Sequence, residues 1–368
     1  MVGEEKPMRH GYTTGSNATA ATKAALLSLI HQESVVDAEI LLPIGDRVTF
    51  HMESVTYSET SAEAQVIKDA GDDPDATHKA RIISTVCWKE EPGITLDGGT
   101  GVGRVTKPGL PVPVGEAAIN PVPRRMIMET VQEVMNQYGV RQGVHVVISV
   151  PDGEEIAKKT LNARLGIVGG ISILGTRGTV VPFSTAAFKA SIAQAISVAV
   201  ESGCDHLIAT TGGRSEKFAM KLYEGYPEEA FIEMGDFVGF TLKMCKKYGI
   251  KRVGLVGMMG KFSKVAQGVM MVHSKSAPID FGFLATVAEE AGVPEDIITQ
   301  VRGANTASQV GDLMHENGYD AFFTALCRHV CESSLKEMGG DAEIDTTIIT
   351  MKSEILGRER VDCRMLSK

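Results

Sequence analysis

Aromatic residues are scarce in this sequence: they make up 5% of 368 positions, and there is a single Trp. So few flat side chains argue against a base-stacking surface for single-stranded nucleic acid. No Lys/Arg block is long enough to follow a phosphate backbone, and the formal net charge is −9, so no nucleic-acid partner is expected. A small polyanion held by a few local cations stays compatible with that charge. No apolar run approaches the roughly 18–20 residues that cross a bilayer, and the opening MVGEEKPMRH has two Glu and no apolar segment. Neither a membrane partner nor a secretory leader is expected. The six Cys are scattered without a framework, which fits free thiols in a reducing cytoplasm. Cys327 and Cys331 share a helix face but His329 between them points away, so no metal site is read there.

Hydrophobic residues make up 43% and charged residues 23%, an ordinary globular balance, and the length suggests two domains. A homo-oligomer is compatible with this composition. Up to about residue 145 the text reads as an α+β domain. An alanine-rich helix from about Ala18 to His31 leads to antiparallel strands at Ala38–Leu42, Arg47–Tyr57 and Ser61–Ile67. A Gly- and Pro-dense loop and a helix from Arg124 to Tyr138 follow. From 146 to 368, short apolar runs end in Gly-rich turns and alternate with helical text at Phe183–Ser202, Glu229–Tyr248 and Leu284–Ala291. That alternation predicts an open parallel-sheet α/β domain, Rossmann-like in character.

GYTTGSN, ahead of the first helix, carries more hydroxyls than one cap requires. A helix start leaves about four N–H groups without partners and favours negative charge, so Thr13, Thr14, Ser16 and Asn17 are candidate ligand contacts. Ser16 or Asn17 is also placed to cap the helix. In KDAGDDPDATH, the carboxylates of Asp69, Asp72, Asp73 and Asp75 crowd within seven residues. Mutual repulsion would raise some of their pKa values toward the range of a general base; Asp-Pro and Gly-Asp are also standard turn formers. A base or a substrate contact is favoured over a metal.

VTKPGLPVPVGEAAINPVPRRMI is too rich in Pro for a mere connection, and fixed prolines suit a preorganised surface. Its Lys107, Arg124 and Arg125 are suited to hold carboxylates, Arg in a bidentate manner. In the second domain, ligands are expected beyond the carboxyl ends of strands, where Gly lets backbone come close. Gly169, Gly170, Gly175, Thr176 and Gly178 offer one such turn; Thr211, Gly212 and Gly213 offer another; Gly260 and Lys261 a third. Together they favour one cofactor cleft. Neither a Walker motif nor a clean dinucleotide fingerprint is present. His273 stands among polar residues in a loop, and a lone His is more often structural than catalytic.

GYTTGSNATAATKAA, GDDPDATH, the long Pro-rich signature, GISILGTRGTVVPFS and GKFSKVAQG, in this order, resemble the successive signatures of the cobalt-precorrin-5B C(1)-methyltransferase family, CbiD. The resemblance runs from Gly11 to beyond His273. It implies methyl transfer from S-adenosylmethionine to ring carbon C1 of a cobalt-precorrin, a small-molecule substrate that brings its own cobalt, so no protein metal is required. It further implies Lys107, Arg124, Arg125, Lys261 and His273, with the Thr13–Asn17 stretch, as substrate contacts, and Asp72, Asp73 and Asp75 as candidates for proton movement. The Gly-rich turns would receive S-adenosylmethionine. One departure stands out: Asn17 occupies a position where the family pattern usually has Cys. A non-catalytic corrinoid carrier and a nucleotide-dependent enzyme are the alternatives.

Overall fold

The alanine-rich text forms helix α1, Thr14–His31, and its small side chains decide where it goes. Ala18, Ala20, Ala21, Ala24 and Ala25 are all 0% exposed, so the helix is buried nearly all round. The computed structural model describes residues 7–273 and 275–365. By its internal contacts the chain falls into two units, one ending at Thr185 and the other starting at Ala186.

In the first unit, α1 packs on helix α2, Pro121–Tyr138, and on strands Ser61–Ile67 and Arg81–Lys89. Pro121 opens α2, where its missing N–H costs nothing, and Gly139 closes it at φ +66. The five-stranded sheet runs Ser54–Tyr57, Ser61–Ile67, Arg81–Lys89, Gly143–Ser149, Ile94–Gly98. All its pairs are antiparallel except the last. Alternating burial along Ser61–Ile67 and Arg81–Lys89 puts Ala62, Ala64, Ile82 and Val86 into the core under α1.

In this unit the structure departs from the sequence reading at three places. The expected strand Arg47–Tyr57 breaks in two: Arg47–His51 pairs with Asp37–Leu41, and Ser54–Tyr57 joins the larger sheet. Gly143–Ser149, expected to open the second domain, lies in the first unit's sheet. GIVGGISILG is no strand of the second unit's sheet either. Its Ile167–Val168 and Gly170–Ile171 pair with Arg104–Val105 and Gly101–Val102 and pin the Gly/Pro-rich loop. A short apolar run bounded by Gly specifies burial but not its partner. The division therefore falls after Thr185 rather than near residue 145.

In the second unit, Phe231–Glu233, His206–Thr210, Arg252–Met258 and Glu343–Ile349 are parallel, and Ile355–Asp362 adds an antiparallel edge. His206–Thr210 is buried at every position, as suits a strand covered on both faces. The expected helix Glu229–Tyr248 is interrupted by the strand Phe231–Glu233 and survives as Val238–Lys247. Sheets of mixed strand orientation with helices packed on them make the protein a mixed α/β fold. No described helix is long and apolar enough to cross a membrane. All six Cys are free thiols.

Candidate functional site

The start of α1 is built into the first unit rather than presented to solvent. Thr13, not Ser16 or Asn17, is the cap: its hydroxyl accepts from Ser16 N at 3.2 Å. Thr14 Oγ1 donates to Leu174 O (3.2 Å) and accepts from Leu174 N (2.8 Å). Ser16 Oγ donates to Gly178 O at 2.7 Å, and Asn17 Nδ2 to Thr13 O at 2.7 Å. Thr14, Ser16 and Asn17 are all buried. Where ligand contacts were expected, the polar atoms bond internally and hold the 174–178 loop. A Cβ on Gly15 would stand 2.6 Å from Pro123 Cγ, so only glycine lets α1 meet α2 and that loop.

The acidic loop is likewise spoken for. Arg9 forks onto Asp69, with one contact at 3.0 Å, and with the Gly71 amide holds that carboxyl down at about 2. Asp72 Oδ2 accepts from Arg9 N at 2.6 Å, and Asp73 Oδ1 accepts from Phe183 N at 2.9 Å. Asp75 faces the ammonium of Lys68, a side chain 1% exposed, at 2.6 Å. Burial alone would raise the Asp75 pKa, but Lys68 and Thr77 outweigh it and leave the carboxyl below its ordinary range. Mutual repulsion was expected to raise pKa values here; cationic and amide donors turn the shift the other way at Asp69 and Asp75. Asp75, expected as a candidate base, is the counter-ion of a buried lysine.

Phe183, expected to open a helix running to Ser202, instead lies ahead of the helix Thr185–Glu201, held by Asp73 at φ +53. The left-handed region costs a bulky residue of order 1–3 kcal/mol. The residue is 67% exposed, so burial offsets little of that cost. No sequence signal marks a positive φ at Phe.

Arg124 and Arg125, at the first turn of α2, line a cavity of about 340 Å³ together with Pro111, Pro113, Glu116 and Ile119. Arg124 Nη2 lies 3.2 Å from Glu116 Oε2. Prolines that stiffen the lining and two arginines within it suit a carboxylate-bearing molecule. Lys107 does not line this cavity; its stem covers Gly166.

The candidate cofactor residues divide between the units. Gly169, Gly170, Gly175, Thr176 and Gly178 lie in the first. A Cβ on Gly175, at φ +145, would stand 2.2 Å from Thr13 Oγ1, so this turn is packed against α1. Thr211, Gly212 and Gly213 lie in the second unit, past the carboxyl end of His206–Thr210. Lys261 Nζ ties that end to its neighbour, bonding Thr211 O at 2.9 Å and Asp236 Oδ1 at 3.0 Å. A Cβ on Gly212, Gly213 or Gly260 would meet nothing within 4 Å. His273 is exposed, and its carbonyl accepts from the buried Lys264 at 2.8 Å.

At the opposite end of the same strands is a buried polar cluster. His206 Nδ1 lies 3.0 Å from the Tyr226 hydroxyl, and its Nε2 is 3.3 Å from Asp345 Oδ1 but poorly aligned for a hydrogen bond. Tyr223 donates to Asp345, and Arg358 Nη2 approaches it at 3.3 Å. Burial would raise the Asp345 pKa, but His206, Tyr223 and Arg358 together leave it lowered. Burial beside that carboxylate pushes the Tyr223 phenol above its ordinary value.

The protein is thus a mixed α/β fold with an arginine-lined cavity in one unit and an open glycine strand end in the other. The chain belongs to the CbiD family: the CbiD model matches residues 1–182, and the model for the CbiD C-terminal domain matches 271–360. Proteins named cobalt-precorrin-5B C(1)-methyltransferase from a Geobacillus species and from Priestia megaterium are each 65% identical to it, over 96% of this chain and 97% of theirs. One from Rubrobacter xylanophilus is 47% identical over 94% of this chain and 89% of its own length. A crystal structure of the cobalamin biosynthesis protein (cbiD) from Archaeoglobus fulgidus is 26% identical, covering 84% of this chain and 85% of that one at a TM-score of 0.39.

Proposed function

We propose that this chain methylates ring carbon C1 of cobalt-precorrin-5B, giving cobalt-precorrin-6A, with S-adenosylmethionine as donor. The observation that carries the reading is the cavity beside Arg124 and Arg125. A corrin precursor bears acetate and propionate groups around its rim, and paired guanidinium groups behind a proline wall suit such carboxylates. Glu116 occupies Arg124 at 3.2 Å and marks where a substrate carboxylate would sit. The cobalt arrives with the substrate.

The second unit is read as a Rossmann-like donor domain. Its residues fit a donor at the strand ends: Gly213 and Gly260 leave their backbone open, and Asp236 offers a carboxylate to an ammonium or a ribose hydroxyl. The buried Thr210 hydroxyl at the same end has no hydrogen-bond partner among the described residues. When bound, the donor supplies an electrophilic methyl on a sulfonium sulfur. The chain's own residues then have mostly to orient and to exclude water, since a carbon nucleophile aligned with that methyl needs little further help. Arg124 and Arg125 fix the rim of the ring, while α1 and the acidic loop hold the 174–183 segment in place.

Calorimetry with S-adenosylmethionine tests the assignment. Micromolar binding is expected. No binding of the donor alongside tight binding of the macrocycle would instead identify a carrier, and stabilisation by ATP would point to a nucleotide-dependent enzyme.

A further inference from the structure

Phe183 combines two properties that work against its own stability with one that holds it in place. It sits in the left-handed region, its ring is the most exposed of the large apolar side chains described, and its amide is tied to Asp73 from 110 residues away. A strained, outward-facing aromatic persists only where surrounding structure over-determines it. Here that structure is visible. Asp72 and Asp73 are neighbours, and they hold Arg9 N and Phe183 N respectively. The segments they hold meet again where Gly11 pairs with Val180 and Tyr12 with Thr179. Leu174, 46% exposed, belongs to the same segment and bonds to Thr14 and Gly15 beside Pro123 of α2. One linked framework therefore carries Leu174 and Phe183 outward and leads to the helix end that bears Arg124 and Arg125.

We propose that Phe183 is an apolar platform for the conjugated face of the macrocycle, and that Asp73 is a positioning residue that fixes this ring rather than a proton carrier. The inference rests on the proposed function and names how its substrate is held. The occupant is chosen by chemistry. An aromatic ring stacks on a flat conjugated system, while Arg177 in the same exposed turn, with Arg124 and Arg125, matches the carboxylates around the rim of that system.

The test is an anaerobic titration with cobalt-precorrin-5B, read on the macrocycle's own visible absorption, alongside turnover. Phe183→Ala should weaken macrocycle affinity about tenfold, within the range of lost aromatic stacking, and leave donor affinity unchanged. Phe183→Gly should raise the melting temperature, because glycine accepts φ +53 freely, while binding the macrocycle as weakly as the Ala variant. Asp73→Asn keeps an acceptor for the Phe183 amide and should stay within about twofold of wild type in kcat/KM, whereas Asp73→Ala should lose about tenfold, a loss of one hydrogen bond's size. Wild-type affinity in Phe183→Ala would overturn the platform, and so would a change of oligomeric state in that variant without a change in affinity. Loss of turnover in Asp73→Asn with affinity intact would restore a chemical role for the carboxylate. A wild-type protein that binds no macrocycle would instead refute the proposed function itself.

Discussion

The Lys68 ammonium lies 2.6 Å from the Asp75 carboxylate, on a side chain that is 1% exposed. Removing one member of a buried pair leaves the other unpaired, at a cost of about 3–5 kcal/mol when both are buried. Asp75 keeps 23% of its side chain in contact with solvent, so the lower end applies. Asp75→Ala is expected to lower the unfolding free energy by about 3 kcal/mol in urea, with turnover of the folded fraction largely retained. Unchanged stability with abolished turnover would restore Asp75 as a base.

Acid sensitivity follows from the same physics. Asp75 and Asp345 both have pKa values lowered on folding. A lowered carboxylate contributes stability that is complete above its unfolded pKa, near 4, and is lost as pH falls through the lower folded value. The melting temperature should therefore hold steady on the neutral side and drop below about pH 4. Asp345→Asn should lower it at neutral pH and flatten the acid limb; an acid limb as steep as wild type in that variant would count against this assignment.

The cavity assignment makes a selective prediction. Arg124→Ala and Arg125→Ala should each weaken macrocycle binding by about tenfold or more, as expected for lost charge-assisted hydrogen bonds, and leave donor binding alone. Glu116→Gln should tighten macrocycle binding by freeing Arg124. Equal loss of both ligands, or of neither, would place the substrate elsewhere.

At the strand ends, Gly213 is the cleaner probe than Gly212, because Gly212 has φ +156 and Gly213 has no positive φ. With nothing within 4 Å of an added Cβ, Gly213→Val should fold with little loss of stability. It should nevertheless cut donor affinity, measured by calorimetry, by more than tenfold through steric intrusion, an overlap worth over 1.4 kcal/mol. Full donor affinity in this variant would move the donor away from that turn.

Much of the fold was legible because it follows from periodicity and punctuation. The α1 helix ends at His31, as its apolar spacing predicts, and the Pro-rich segment does form a wall beside Arg124 and Arg125. What the sequence could not convey is which groups satisfy one another. The hydroxyls of Thr14 and Ser16 read as ligand contacts because their partners, Leu174 O and Gly178 O, are about 160 residues away. Crowded aspartates read as mutually repelling because Arg9 and the buried Lys68 reach them only in the folded chain. Gly170 and Gly175 read as part of a cofactor turn because close approach of the chain to itself and close approach to a ligand demand the same residue.

The most direct measurement is to incubate the protein with cobalt-precorrin-5B and S-adenosylmethionine carrying a carbon-13 methyl group, and then to locate the label by NMR. The label is expected at C1 of the ring, with loss of that signal in the combined Arg124→Ala, Arg125→Ala variant. Tight macrocycle binding with no label on the ring, or a label at another carbon, would contradict the proposed reaction.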